Sequence, residues 1–215
     1  RVALSCRSGL EQVLADELRE RWQPAIIAAQ RVDIEHSGSL RELLAARTAL
    51  DVALVVPLEP SPARSAAPEH RIADALARHD CIAALAAWTE GTPRFRVSWT
   101  SGGHRRALSW ALAAALRART SALVNDSRAA RWTLRAPPDA RGELLLAPRF
   151  DEDPRFAYRR AEVPAASHPT IAAALARLGG VQRDEVVWDP FVGSGLELVE
   201  RARLGPAREI WGSDL

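Results

Sequence analysis

The sequence predicts two architectures in succession: an α+β N-terminal half, then, from about residue 151, the opening of a parallel α/β sheet. Three observations carry this. Strand-like and helical apolar patterns alternate irregularly up to about Phe150. A proline-rich stretch, PLEPSPARSAAPEH (57–70), has no hydrophobic period and divides that half. After Pro154 the order becomes helix, strand, glycine turn, helix, strand with short turns, the start of a parallel sheet with a crossover helix.

Taken in order, the first fifty-odd residues read strand, helix, strand, helix, strand. RVALSC is an apolar strand. Ser8 and Glu11 stand at capping-box spacing, and Leu10, Val13, Leu14 and Leu18 then share one helical face. QRVDIEH alternates as a half-buried strand does. Ser39 and Glu42 repeat the capping spacing before Leu40, Leu43 and Leu44, and DVALVVPL returns as a strand. Past the proline stretch one helix is expected over about 70–88, with Ile72, Leu76, Ile82 and Leu85 as its apolar positions. Next come a strand (RFRVSW), a glycine turn (SGGHRR) and a helix striped by Leu108, Leu112 and Leu116. ARWTLRA and GELLLAPRF are strands. In the last third, Ser167 is the expected N-cap of a helix with Pro169 in its first turn and Ile171, Leu175 and Leu178 on one face, ended by Gly179-Gly180. EVVW and REIWGSD are strands flanking the helix GLELVERARL.

Composition removes several function classes. With 47% hydrophobic and 26% charged residues the chain is an ordinary globular one. No apolar run reaches the ~18–20 residues of a membrane span and no secretory signal opens it, so a cytoplasmic, membrane-free protein is expected. The two cysteines, Cys6 and Cys81, lack metal-ligand spacing and are expected as buried free thiols. All 29 basic residues are arginine, which excludes a Walker A loop and a Schiff-base lysine. There is no methionine, even at position 1, so the chain is expected to begin inside a longer reading frame.

Charge is unevenly spread. Between Gly91 and Arg135 stand nine arginines and a single acid, Asp126, a net +8, while the remainder of the chain carries −6. Such a concentration suits a polyanion; the alternative is a solvated arginine face. Arg94, Arg105, Arg106 and Arg131 are the expected phosphate contacts, with His104 beside them. Trp99, Trp110 and Trp132 are assigned to the core, base stacking being the alternative.

VVWDPFVGSGLELVE (186–200) is the most informative stretch. Gly193 and Gly195 in a strand-to-helix turn let the backbone approach a ligand, and the following helix offers unpaired N–H groups. Asp214, 19 residues beyond Gly195, stands where an acid binds ribose hydroxyls in nucleotide-type sites. The dinucleotide fingerprint wants a third glycine where Leu198 stands. Asp189, immediately before the turn, would repel a pyrophosphate but suits a cationic amine. Those features favour S-adenosylmethionine, with its ammonium, sulfonium and ribose, over a nicotinamide cofactor.

DPFVGSGLELVE resembles the first methyltransferase motif of RNA methyltransferases with a THUMP domain, including guanosine N2-methyltransferases of tRNA and 23S rRNA. YRRAEVPAASHPTIAAALARL is similar to the segment leading into it, and FRVSWTSGGHRRALSWALAAAL through ARWTLRA to a THUMP domain. The resemblance implies a ferredoxin-like domain over 1–56, a THUMP-like RNA-binding domain over 57–150 and the start of a Rossmann-like domain over 151–215. It further implies that Asp189, Phe191, Gly193, Ser194 and Gly195 surround the methionine part of S-adenosylmethionine while Asp214 holds its ribose. Glu200 matches the family's helix acid. Leu196 departs from the usual threonine, and Glu197 from an apolar residue. The family's Asn/Asp-Pro-Pro-aromatic catalytic motif does not occur here, so no catalytic residue is assigned. An RNA partner, tRNA or rRNA, follows from the same resemblance. Two rival readings stay open: a nicotinamide-dependent oxidoreductase, and a non-catalytic RNA-binding protein on a degenerate methyltransferase fold.

Overall fold

A computed structural model describes residues 1–59, 67–100, 105–159 and 166–214. In chain order its elements are β1 (Val2–Ser5), α1 (Glu11–Arg19), β2 (Pro24–Ala28), β3 (Arg31–Ile34), α2 (Leu40–Leu43), β4 (Asp51–Pro57), α3 (Pro68–Leu76), α4 (His79–Ala87), β5 (Arg94–Trp99), α5 (Arg106–Arg117), β6 (Val124–Asn125), β7 (Trp132–Ala136), β8 (Glu143–Pro148), α6 (Pro169–Gly179), β9 (Val186–Asp189), α7 (Leu196–Leu204) and β10 (Glu209–Gly212). They form two compact units. The first comprises Arg1–Ala3, His36–Leu40 and Val52–Asp151; the second comprises Leu4–Glu35, Arg41–Asp51 and Glu152–Leu215. Among the described residues no helix is long and apolar enough to cross a membrane.

In the first unit the strands run in the order β4-β8-β7-β5-β6. The β4/β8 and β8/β7 pairs are antiparallel, whereas β5 is parallel to both β7 and β6. Alternation sets the core: Phe95 of β5, Trp132 and Leu134 of β7, and Leu144 and Leu146 of β8 are buried with Ile72, Leu76, Leu85, Leu112 and Leu116 of the helices. The α5 stripe is as its period predicts, with Leu112 and Leu116 buried and Leu108 half-buried. Trp99 and Trp132 lie in the core, and Trp132 Nε1 donates to Thr89 Oγ1 at 2.8 Å. Trp110 does not: its side chain stands outside the core, and the residue is 71% exposed.

The single helix expected over 70–88 is two, α3 and α4, broken at Ala77–Arg78. The six-residue step from Leu76 to Ile82 explains the break, because at 3.6 residues per turn one helix would swing Ile82 well off the face shared by Ile72 and Leu76. Arg78 takes an extended conformation, ψ 141°. The phase restarts there, and Cys81 and Leu85, one turn apart, become the buried pair of α4.

In the second unit β2 and β3 form an antiparallel hairpin that the sequence pattern does not reveal. Ile26 and Ile27 are adjacent and both more than 40% exposed, so β2 lacks the alternation that announces a half-buried strand. The expected capping box of α1 does not mark the helix start. The N-cap of α1 is Leu10, without a side-chain cap, and Glu11 Oε1 accepts from the Gln30 N–H at 2.8 Å instead. Helix α2 lasts a single turn.

In helix α6 the leucines of the expected apolar face are not the buried residues. Leu175 and Leu178 are 51% and 65% exposed, and the buried residues are Pro169, Thr170, Ala172, Ala173, Ala174 and Ala176. Small side chains on this face let neighbouring backbones approach closely. The N-cap is His168 rather than Ser167; its Nδ1 accepts from the Thr170 N–H at 3.3 Å. Burial and the nearby guanidiniums of Arg7, Arg159 and Arg155 hold the His168 imidazole below its usual pKa. The neutral ring is the capping form, so the unfolded chain binds the proton more readily. Stability from this cap is complete above about pH 6.5, the unfolded value, and is lost as pH falls from there through the lower folded value. Thermal melts between neutral and mildly acidic pH should show a drop in melting temperature that His168→Asn, which keeps a capping oxygen, reduces.

Cys6 and Cys81 are buried free thiols. Burial pushes them up to about 11 and about 12, with Glu11 and Asp80 adding to the respective shifts, so both stay protonated at neutral pH.

Candidate cofactor site and arginine face

The glycine turn sits where a β-α-β unit places a ligand, beyond the carboxyl ends of two parallel strands. β9 and β10 pair in parallel, with Asp189 opposite Gly212. Beyond that pair the chain closes a small knot of hydrogen bonds. The Ser213 N–H donates to the Asp189 carbonyl at 2.9 Å, and the Val192 N–H donates to the Ser213 carbonyl at 3.0 Å. Two carboxylates complete it: Asp189 Oδ1 accepts from the Phe191 N–H at 2.9 Å, and Asp214 Oδ2 accepts from the Gly193 N–H at 2.7 Å. Asp214, distant in sequence, thus meets Asp189 and Gly193 at one end of the parallel pair.

Both glycines of the turn have left-handed backbone, with φ +46° at Gly193 and +73° at Gly195. Gly195 is the N-cap of α7, and its N–H donates to the Val192 carbonyl at 2.6 Å. The space over Gly193 is open, since an added Cβ would meet nothing closer than 3.9 Å. Gly193 and Ser194 are exposed, and Phe191 is 77% exposed. Leu196, which stands in place of threonine, is buried and faces the core. A cavity of about 280 Å³ lies between α6, β9 and α7, lined in part by Asp189, Pro190, Glu197 and Leu198.

Gly212 belongs to the site for a different reason, one with no local signature in the sequence. A Cβ there would lie 2.6 Å from Val192 Cγ2, 2.9 Å from Val192 Cβ and 3.1 Å from Leu198 Cδ1. The turn therefore packs directly on the backbone of β10.

Farther along α7, Glu200 is 2% exposed and receives both Nε and Nη2 of Arg47 at 2.6 Å. The Tyr158 hydroxyl donates to Glu200 Oε1. Burial, then the hydrogen bond to the Glu200 carboxylate, pushes the Tyr158 phenol up to about 12. The Arg47 guanidinium lies over the Phe156 ring, 4.9 Å from its centroid. Nearby, the buried Glu17 carboxylate accepts from the N–H groups of Arg47 and Thr48, both at 2.9 Å. The helix acid of the sequence reading is a structural anchor for α7.

The expected phosphate contacts do not form one cluster. Arg94 opens β5 and Arg131 immediately precedes β7; the Arg131 N–H donates to the Arg94 carbonyl at 3.0 Å. Arg105 and Arg106 lie past the opposite end of β5, where Trp99 Nε1 donates to Ser109 Oγ at 3.1 Å. Arg94 contacts Asp126 at 2.6 Å and Arg131 contacts Asp151 at 3.4 Å. These exposed ion pairs are worth little and yield readily to a phosphate. Arg106 and Arg117 have no hydrogen bond or ion pair among the described residues. His104 lies outside the described residues.

A family model, the RMKL-like methyltransferase domain, matches residues 157–211. The structure is similar to TrmN from Thermus thermophilus, with 26% identity and a TM-score of 0.66, covering 100% of this chain and 65% of that one. It is also similar to a Listeria monocytogenes protein described as a predicted N6-adenine-specific DNA methylase, with 21% identity, a TM-score of 0.64, and 95% and 55% of the two chains covered. A third similar structure is SMU.472, solved as a complex with SAH, at 16% identity, a TM-score of 0.64, and 94% and 55% coverage. The chain thus spans less than two thirds of the length of each. A search of curated protein sequences finds no match. Residues 157–211 thus match a methyltransferase-domain family model, and the chain shares the mixed α/β fold of these solved structures.

Proposed function

We propose that the chain binds S-adenosylmethionine at the glycine turn and RNA through its arginine-rich segment, within an RNA methyltransferase of the THUMP-containing, guanosine-N2 type. The observation that carries the cofactor half is the meeting of Asp189, Gly193 and Asp214 at the carboxyl ends of two parallel strands. The donor set fits the cofactor. Asp189 Oδ2 has no partner among the described residues, which leaves a carboxylate oxygen for an ammonium. Asp214 supplies an acceptor for ribose hydroxyls, and the open space over Gly193 admits a ligand close to the backbone.

When bound, S-adenosylmethionine supplies an electrophilic methyl group that passes to a base nitrogen as its carbon–sulfur bond breaks and the nitrogen loses a proton. The part played by this chain is positioning. Asp189, Phe191, Gly193, Ser194 and Gly195 hold the methionine end, Asp214 the ribose, and Gly212 keeps the turn seated on β10. Arg94, Arg105, Arg106 and Arg131 position the RNA through phosphates without reading much sequence. The target base must be unpaired or flipped out to be reached. The proposed organisation is ferredoxin-like over 1–56, THUMP-like over 57–150 and Rossmann-like over 151–215.

Two measurements on the purified protein test the halves separately. In thermal shift, S-adenosylmethionine and SAH should raise the melting temperature while NADH leaves it unchanged; the reverse pattern rejects the cofactor assignment. RNA affinity should fall steeply between low and moderate salt, with a slope of about −0.7 to −0.9 per phosphate contacted. Salt-insensitive binding, or none, rejects the RNA role.

A further inference from the structure

Beside Arg106, the exposed face of α5 carries an indole and a second guanidinium that the phosphate assignment does not use. Counting 100° per residue, Arg106, Trp110 and Arg117 fall within about 40° of one another around the helix, and Ala113 and Ala114 separate the last two. The opposite face, Leu112, Ala115 and Leu116, is buried. The ring of Trp110 stands in solvent, one turn from Arg106 and two turns from Arg117. Neither guanidinium has a hydrogen bond or ion pair among the described residues, and α5 contains no acidic residue.

We infer that this face is a stacking platform for a single-stranded stretch of RNA, with a base on Trp110 and phosphates held by Arg106 and Arg117. An indole exposed to 71% offers a flat apolar surface that any base can cover. Small alanines beside it leave the plane open. The flanking charge selects a polyanion: a second copy of the chain would bring the same two cations against themselves. A duplex hides the faces of its bases, so the platform takes an unpaired segment. The inference rests on the RNA reading above and adds to it the form of RNA recognised and the residue that recognises it.

The test is fluorescence anisotropy with a short labelled oligoadenylate and with an RNA duplex, on the wild-type protein and variants. Trp110→Ala should weaken oligoadenylate binding by about tenfold or more without changing its salt dependence, and Trp110→Phe should keep most of the affinity. Arg106→Gln with Arg117→Gln should instead flatten the salt dependence by roughly one to two units of slope. Melting temperatures should stay at the wild-type value, because all three side chains are exposed. If Trp110→Ala binds oligoadenylate as well as the wild type while wild-type binding still falls steeply with salt, the platform is rejected and the RNA role survives. Absence of RNA binding by the wild type rejects both. Loss of a dimer in Trp110→Ala, with RNA binding intact, assigns the face to a second copy and also rejects the platform.

Discussion

Glu200→Ala is expected to lower the melting temperature by on the order of 10 °C, from a loss of about 3–5 kcal/mol. The variant leaves Arg47 held between Phe156 and Tyr158 with a side chain only 15% exposed and no carboxylate opposite it. A guanidinium cannot shed its proton to escape burial, so the full cost of an unpaired charge falls on the fold. The Tyr158 hydroxyl loses its acceptor at the same time. Glu200→Gln, which keeps an oxygen in place, should cost less. Glu197→Ala on the same helix, where no ion pair is made among the described residues, should stay within about 0.5 kcal/mol of the wild type. Equal effects of the alanine variants at 197 and 200 would show that the Arg47 pair does not anchor α7.

Gly212→Ala should impair S-adenosylmethionine binding although residue 212 need not touch it. Its Cβ would overlap both Val192 Cγ2 and Val192 Cβ, and the latter is fixed to the turn's backbone rather than the end of a flexible chain. Val192 must move, carrying with it the Ser213 and Gly195 hydrogen bonds made by its N–H and carbonyl. Overpacking of this kind costs about 1–3 kcal/mol. Where that strain falls on the ligand-binding arrangement of the turn, affinity drops by about tenfold for each 1.4 kcal/mol. Gly179→Ala is the control, since a Cβ there meets nothing within 4 Å. Calorimetric titration of the two variants should separate them clearly; equal affinities would mean that the turn tolerates movement and is not a pre-formed cradle.

The glycine turn was legible in the sequence because its chemistry is local. Asp189, the two glycines and the helix start are contiguous, and Asp214 follows at the length of one crossover. Gly212 was not legible, because what excludes a side chain there is Val192, twenty residues away and brought close only by the parallel pairing of β9 with β10. Periodicity placed Leu112 and Leu116 correctly and also held the answer for Trp110. That residue lies two positions from Leu112, hence on the far side of the helix, but its hydrophobicity suggested the core. In α6 the same preference for large apolar residues misled: alanines form the buried face and leucines the exposed one, because close helix packing favours small side chains. The split between α3 and α4 was written as a phase error between Leu76 and Ile82, with no proline or glycine to mark it. The arginine segment was visible as charge, whereas its division between the two ends of β5 required the strand order.

The central claim is that Asp189 and Asp214 flank a cofactor carried over the backbone at 193–195, and a crystal structure of the protein with S-adenosylmethionine measures it directly. The account expects the methionine ammonium within hydrogen-bond distance of the Asp189 carboxylate and the ribose hydroxyls on Asp214. Cofactor density elsewhere, or a turn left empty at saturating ligand, would contradict it.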